Sequence, residues 1–169
     1  FDAGTQSVKV AVYDENFKQV ASHSLPTTLH YPQPGWVQMN IDEFLNITVE
    51  CIRKTVEDIK GKGYAAGDIA AVMGDGIICG ICGVDENGKA VTPYYLDSRT
   101  QADVDAINAM DLDIWGRETG NPQANCMFPA MFARWFLANN EAFQKKGVKF
   151  VHNAPYILMN LAGLKGEDA

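Results

Sequence analysis

No run of about 18 consecutive apolar residues occurs in this chain, so no segment reads as a membrane-spanning helix. A charged, apolar and small-residue leader is also missing, and no secretory signal is expected. Basic residues are scarce. Fourteen Lys and Arg stand against 21 Asp and Glu, for a net charge of −7 and a pI near 4.8. A nucleic-acid scaffold needs a basic face, so that class of partner is disfavoured. Phosphate binding at one spot stays open, because a few backbone amides and one lysine suffice. Four cysteines in 169 residues make no disulfide framework, and a reducing cytoplasm is the expected compartment. Low-complexity segments and internal repeats are absent. What is present is ordinary: 47% hydrophobic and 21% charged residues, enough for one domain with a real core.

The residue pattern predicts an α/β domain with a mixed sheet. Val8 to Asp14 alternates, with Val8, Val10 and Val12 on one face of a strand, and Val20 to Leu29 reads as a second strand after a Glu15-Asn16 turn. Tyr31 to Val37 is a loop by its prolines and glycine. Asn40 caps a helix, with Glu43 completing a capping box, and Ile41, Phe44, Leu45, Val49, Ile52, Val56 and Ile59 mark the apolar stripe. Gly61 and Gly63 end it. Ile69 to Met73 and Ile77 to Val84 are buried-strand candidates, and Val91 to Tyr95 is a short strand after the Asp85 to Gly88 turn. Helices are expected over Ser98–Met110, Leu112–Thr119 and Pro129–Asn140. A last strand spans Val148–Val151, before a final turn or two over Tyr156–Leu161.

Asp2-Ala3-Gly4-Thr5-Gln6-Ser7 is the chemistry-bearing segment. A glycine-containing turn before an outgoing strand exposes amides that can converge on phosphate oxygens. Thr5 and Ser7 add hydroxyls, Gln6 an amide, and Lys9 a charge on the same side as Ser7. Asp2 offers a hard oxygen for Mg²⁺. A plain hairpin with a polar turn fits the same short spacing equally well.

Together with the segments downstream of it, this turn resembles the opening motif of the actin-like ATPases, and specifically of the FGGY carbohydrate kinases. Asp2 to Lys9 runs into Val10-Ala11-Val12-Tyr13-Asp14. Pro34-Gly35-Trp36-Val37-Gln38 is similar to the family's block before the first helix. Gly76-Ile77-Ile78-Cys79-Gly80 stands where its xylulose kinases carry Gly-Gln-x-His-Gly. Asp85-x-x-Gly88, Tyr95-x-Asp97-x-Arg99, Thr119-Gly120 and the helix around Trp135 come next, in the family's order.

The resemblance implies a ribonuclease-H-like first domain spanning 1–169, with ATP and Mg²⁺ as cofactors and a sugar or polyol as substrate. Thr5, Gln6, Ser7 and Lys9 would face the phosphates, and Asp2 would hold Mg²⁺. Ile78, Cys79 and Met127 would line the sugar side. The general base would belong to a C-terminal domain beyond Ala169, so no catalytic residue is expected here and the chain alone should be inactive. A homodimer is a further expectation, as dimers are common in the family. Both ends of the chain read as cut from a longer protein, with a few apolar residues expected ahead of Phe1.

Ile77, Ile78 and Cys79 depart from the polar residues that read sugar hydroxyls in the xylulose kinases. Either the substrate is less polar on this side, or backbone groups and Asp75 compensate, or the activity is lost. A sugar sensor that keeps the fold without the chemistry is the competing reading, and an actin-like filament or chaperone ATPase is disfavoured by the Trp36 and Asp97 blocks. Cys79-Gly80-Ile81-Cys82 is a CxxC, but it lies in an apolar stretch with no second pair, and packing explains it better than redox or zinc chemistry. Trp36 fits a loop plug as well as a substrate contact. Asp97 and Arg99 point the same way if extended and are expected to form structural ion pairs, with each other or with neighbours. Asn46-Ile47-Thr48 is a glycosylation pattern inside a helix and is discounted.

Overall fold

The computed structural model describes residues 1–78, 81–110, 113–141 and 147–164. Its main sheet has four strands: β1 (Asp2–Ala3), β2 (Ser7–Tyr13), β3 (Gln19–Pro26) and, past β4 (Gln38–Met39), β5 (Asp75–Gly76). Their order is β3-β2-β1-β5. The first two pairings are antiparallel and β1–β5 is parallel, so the sheet is mixed as expected.

The period-two pattern holds in β2. Val8 and Val10 are buried while Lys9 is exposed. On the buried face lies α1 (Ile41–Gly61), whose cap Asn40 accepts from the amides of Asp42 and Glu43 at 3.0 and 3.2 Å. The capping box is only half formed, because the Glu43 carboxylate turns to His30 Nε2 at 2.9 Å. The buried stripe also differs from expectation. It runs through Ile41, Phe44, Thr48, Cys51, Thr55 and Ile59, leaving Val49, Ile52 and Val56 half-buried. Thr48 and Thr55 can be buried because their hydroxyls donate to the carbonyls of Phe44 and Cys51, at 2.9 and 2.8 Å. An Asn40→Ala change should cost about 1 kcal/mol of stability by losing both cap bonds. Urea melts of the two proteins measure it, and equal midpoints would refute the role.

Ile69 to Met73 is not a buried strand: Val72 and Met73 are 60% and 84% exposed. The parallel pairing starts only at Phe1, whose amino group donates to the Met73 carbonyl at 2.8 Å while its carbonyl accepts from the Asp75 amide at 2.8 Å. Among the described residues no strand lies alongside 69–72. The Ile77 to Val84 candidate shortens to β6 (Cys82–Val84), and Val91 to Tyr95 to β7 (Tyr94–Tyr95). β7 pairs with β4, and β6 with β8 (Lys149–Val151), both antiparallel.

The helix expected at Ser98–Met110 is α2 (Gln101–Asn108), and α3 spans Pro129–Asn139 with proline in its first turn. Between them, Trp115–Thr119 forms a single π-type turn rather than an α-helix, closed by Gly120 at φ 74°; Leu112 lies outside the described residues. The last helix, α4 (Asn153–Leu161), begins three residues earlier than expected and packs on β1 and β5. One core joins the sheet to α1 and α4, and a second gathers Ile81, Tyr95, Phe132 and Phe136. Among the described residues no helix is long and apolar enough to cross a membrane.

Candidate functional site

β1 and β5 run parallel, and ligands of open α/β sheets gather beyond the carboxyl ends of such strands. Beyond β1 comes the Gly4 to Ser7 turn; beyond β5 comes Ile77. The turn is held in three places. The Gly4 amide donates to the Ser7 carbonyl at 3.1 Å. Thr27, just past β3, donates its hydroxyl to the Thr5 carbonyl at 2.5 Å and its amide to the Gln6 carbonyl at 3.1 Å. With their carbonyls turned to Thr27, the amides of Thr5 and Gln6 find no acceptor among the described residues. Both residues are exposed and Ser7 is half-buried, so the turn offers donors to the outside.

The sheet's outer face carries a polar row. Ser24, Lys9, Asp2 and Asp75 are consecutive cross-strand partners, all exposed. Cross-strand partners share a face, so Asp2 has Lys9 on one side and Asp75 on the other. Two hard carboxylates on adjacent strands suit a Mg²⁺ ion that keeps part of its water shell. Position 4 suits a phosphate turn too: a Cβ on Gly4 would stand 3.1 Å from the Ser7 carbonyl oxygen, tightening the turn's own closing contact.

Asn153 supports this row from beneath. Fully buried at the start of α4, its Nδ2 donates to the Ala3 carbonyl at 2.9 Å, and its Oδ1 accepts from the Ala154 amide at 2.7 Å. Sequence reasoning misses Asn153 as a site residue. An asparagine two positions before Pro155 reads as a local helix-start signal, and nothing local points back to residue 3.

The sugar-side expectations are less tightly gathered. Ile78 is 81% exposed, and the neighbouring Ile77 carbonyl accepts from the Tyr94 hydroxyl at 3.0 Å. Met127 is half-buried on another segment; the Cys126 carbonyl beside it accepts from Thr100 Oγ1 at 3.1 Å. Cys79 lies outside the described residues. Burial pushes the Cys82 thiol up to about 12, the opposite of a reactive or metal-binding cysteine.

Asp97 and Arg99 form the expected ion pair, and a buried one. Arg99 Nε donates to Asp97 Oδ1 at 2.8 Å and Nη2 to Oδ2 at 2.5 Å, with both side chains at most 3% exposed. The Val37 amide donates to Asp97 Oδ2 at 2.7 Å. Burial pushes the Asp97 carboxyl up, but the hydrogen bonds from Arg99 and Val37 outweigh it and hold the group below its usual range. The guanidinium stacks 3.3 Å from the Tyr95 ring centroid and 3.8 Å from that of Trp36, with Trp135 at 5.1 Å. Trp36 is therefore an anchor for its loop. A separate hollow of about 670 Å³ lies at the start of α1 between His30, Gln38, Asn40 and Thr92, and no residue of the turn lines it.

Comparison with known proteins agrees with this geometry. The model of the FGGY family of carbohydrate kinases, N-terminal domain, matches residues 1–169. A probable glycerol kinase of Caenorhabditis elegans is 30% identical over 146 residues, covering 82% of this chain and 29% of that protein. Among solved structures, Plasmodium falciparum glycerol kinase with ADP superposes with a TM-score of 0.88 at 22% identity, over 96% of this chain and 33% of that one. Xylulose kinase from Rhodospirillum rubrum gives 0.82 at 21%, over 94% and 33%. The fold is thus the ribonuclease-H-like, actin-like ATPase fold these kinases share, and the chain spans about a third of the length of its relatives. A mixed sheet, a donor-rich turn at its carboxyl end and a match from first residue to last lead to one assignment: the chain belongs to the FGGY family of carbohydrate kinases, aligning with its N-terminal domain.

Proposed function

We propose that the protein carrying this chain transfers the γ-phosphoryl group of ATP to a hydroxyl of a sugar or polyol. The observation that supports this reading best is the outward-facing turn, with two amides that no described residue accepts from, beside exposed Lys9 and the Asp2–Asp75 pair. In it, the amides and side chains of Thr5, Gln6 and Ser7 hold phosphate oxygens, and Lys9 balances their charge. Asp2 holds Mg²⁺, directly or through water, with Asp75 beside it. That ion supplies neutralisation of charge on the transferring phosphoryl group. The relatives named above act on glycerol and xylulose, so this reading takes in triols and ketoses alike. Ile78 and Met127 are proposed as acceptor-side residues, with Cys79 assigned there by resemblance alone.

The proton on the acceptor hydroxyl must pass to a base. We place that base in a part of the protein beyond this domain, so the 169-residue chain alone should phosphorylate nothing. Cys51, Cys82 and Cys126 are free thiols, which suits the cytoplasm as working compartment.

Coupled detection of ADP with ATP, Mg²⁺ and a panel of polyols, ketoses and aldonates tests the reading on the full-length protein. Tight acceptor binding without ADP release would overturn it in favour of a sensor. Lys9→Met should lower kcat/KM for ATP about tenfold, equivalent to about 1.4 kcal/mol. Its melting temperature should hardly move, because Lys9 is exposed. Unchanged kcat/KM for ATP would remove Lys9 from the phosphate site.

A further inference from the structure

Arg99 is the least satisfied buried cation among the described residues. Its side chain is 1% exposed, and its Nη1 has no hydrogen-bond partner. A guanidinium carries five N–H donors, and only Nε and Nη2 are engaged, both by Asp97. A buried charge kept in this state is a weak device for stability, since apolar residues of similar volume commonly serve as well. Its contacts suggest another use.

Arg99 lies against three separate segments. Trp36 belongs to the loop before β4, Tyr95 to β7 and Trp135 to α3, and all three rings surround the guanidinium. Asp97, held by Arg99, anchors the Val37 amide, and the Leu96 amide donates to the Val37 carbonyl at 2.9 Å. From the same short strand, the Tyr94 hydroxyl reaches the Ile77 carbonyl at 3.0 Å. Arg99 is thus linked through β7 to the segment that leaves the carboxyl end of β5, opposite the phosphate turn across the β1–β5 pair.

We propose that Arg99 is a positioning residue for the acceptor half of the site: by clamping Trp36 and Tyr95 it fixes β7, and with it the Ile77–Ile78 wall. The proposal rests on the kinase reading above. A clamp on the acceptor wall should act on the sugar and not on the nucleotide, because the turn assigned to the phosphates is closed by the Gly4–Ser7 bond and by Thr27, and none of these bonds involves β7.

The test is the double variant Asp97→Asn/Arg99→Met, which removes both charges together and leaves an amide oxygen to accept from Val37. In the full-length enzyme the KM for the acceptor should rise at least tenfold while the KM for ATP stays within twofold. Arg99→Lys, which keeps the charge but loses the fork and the stacking plane, should fall between. Both KM values rising together, or neither moving, would overturn the proposal. If the wild-type protein phosphorylates no acceptor, the kinase reading fails and the clamp is judged separately by amide hydrogen exchange. Faster exchange at residues 36–38 and 77–78, with β2 and β3 unchanged, supports the clamp. A change confined to residues 97–99 overturns it.

Discussion

Arg99→Met alone should be the most damaging single change in this domain. Removing one partner of a buried pair leaves the other charged and dry, at a cost of about 3–5 kcal/mol. Asp97 would be that orphan. The loss should read as a fall of roughly 2 M in the urea midpoint, given a slope of about 1–3 kcal/mol per molar for a small domain. Its pH dependence separates charge from packing. In the native protein the Asp97 carboxyl lies below its usual range. Its contribution is therefore fully present above the unfolded value of about 3.9 and is lost as pH falls through the folded value. In the variant, burial acts on Asp97 without Arg99, so the folded pKa moves up instead. The penalty is then complete at neutral pH and shrinks as pH falls through that raised value. The stability gap between the two proteins should accordingly narrow from pH 7 towards pH 4. A gap of constant size would show that lost aromatic contact, and not the stranded carboxylate, carries the effect.

Gly76→Ala comes next. A Cβ there would meet the Ala3 carbonyl oxygen and Asn153 Nδ2, each at 2.8 Å, and Asn153 Oδ1 at 3.0 Å. Neither neighbour can yield easily. The Ala3 oxygen is backbone and also accepts from the Ile77 amide at 3.2 Å, while Asn153 is enclosed and doubly hydrogen-bonded. Overpacking of this kind costs about 1–3 kcal/mol. Relief must come from separating β1 from β5 or from expelling Asn153, and both displace Asp2 and the turn after it. ATP-dependent activity in the full-length enzyme should therefore drop by more than tenfold, well beyond what a loss of folded protein explains. Gly67→Ala is the matched control, since a Cβ there meets nothing within 4 Å. Wild-type melting and activity in Gly76→Ala would refute the role assigned to that close approach.

Local pattern makes β2, β3, α1 and α3 legible, because each carries its own period or cap. It misplaces Ile69 to Met73, an apolar run whose burial depends on what lies alongside. It also favours Val49 and Val56 over Thr48 and Thr55: a threonine whose hydroxyl bonds back along its own helix is as easily buried as a valine, and composition hides that. At the site, the turn residues can be named because they are contiguous. Thr27, which fixes that turn, and Asn153, which holds the Ala3 carbonyl just before it, come from distant segments and carry no local mark of the task. Asp97 and Arg99 are visible as a pair, but the rings around the guanidinium arrive from three separate segments.

The hydrogen bond from Asn153 to Ala3 spans 150 residues of sequence. Such a contact can form only after nearly all of this chain has left the ribosome, whereas β2, β3 and α1 can assemble from the first 61 residues. During synthesis, the strand that bears Asp2 would thus be paired with β2 well before its underside is secured. On the proposed reading of this turn, nucleotide affinity should rise once nascent chains lengthen past α4, and ATP retention on stalled ribosomes measures that step.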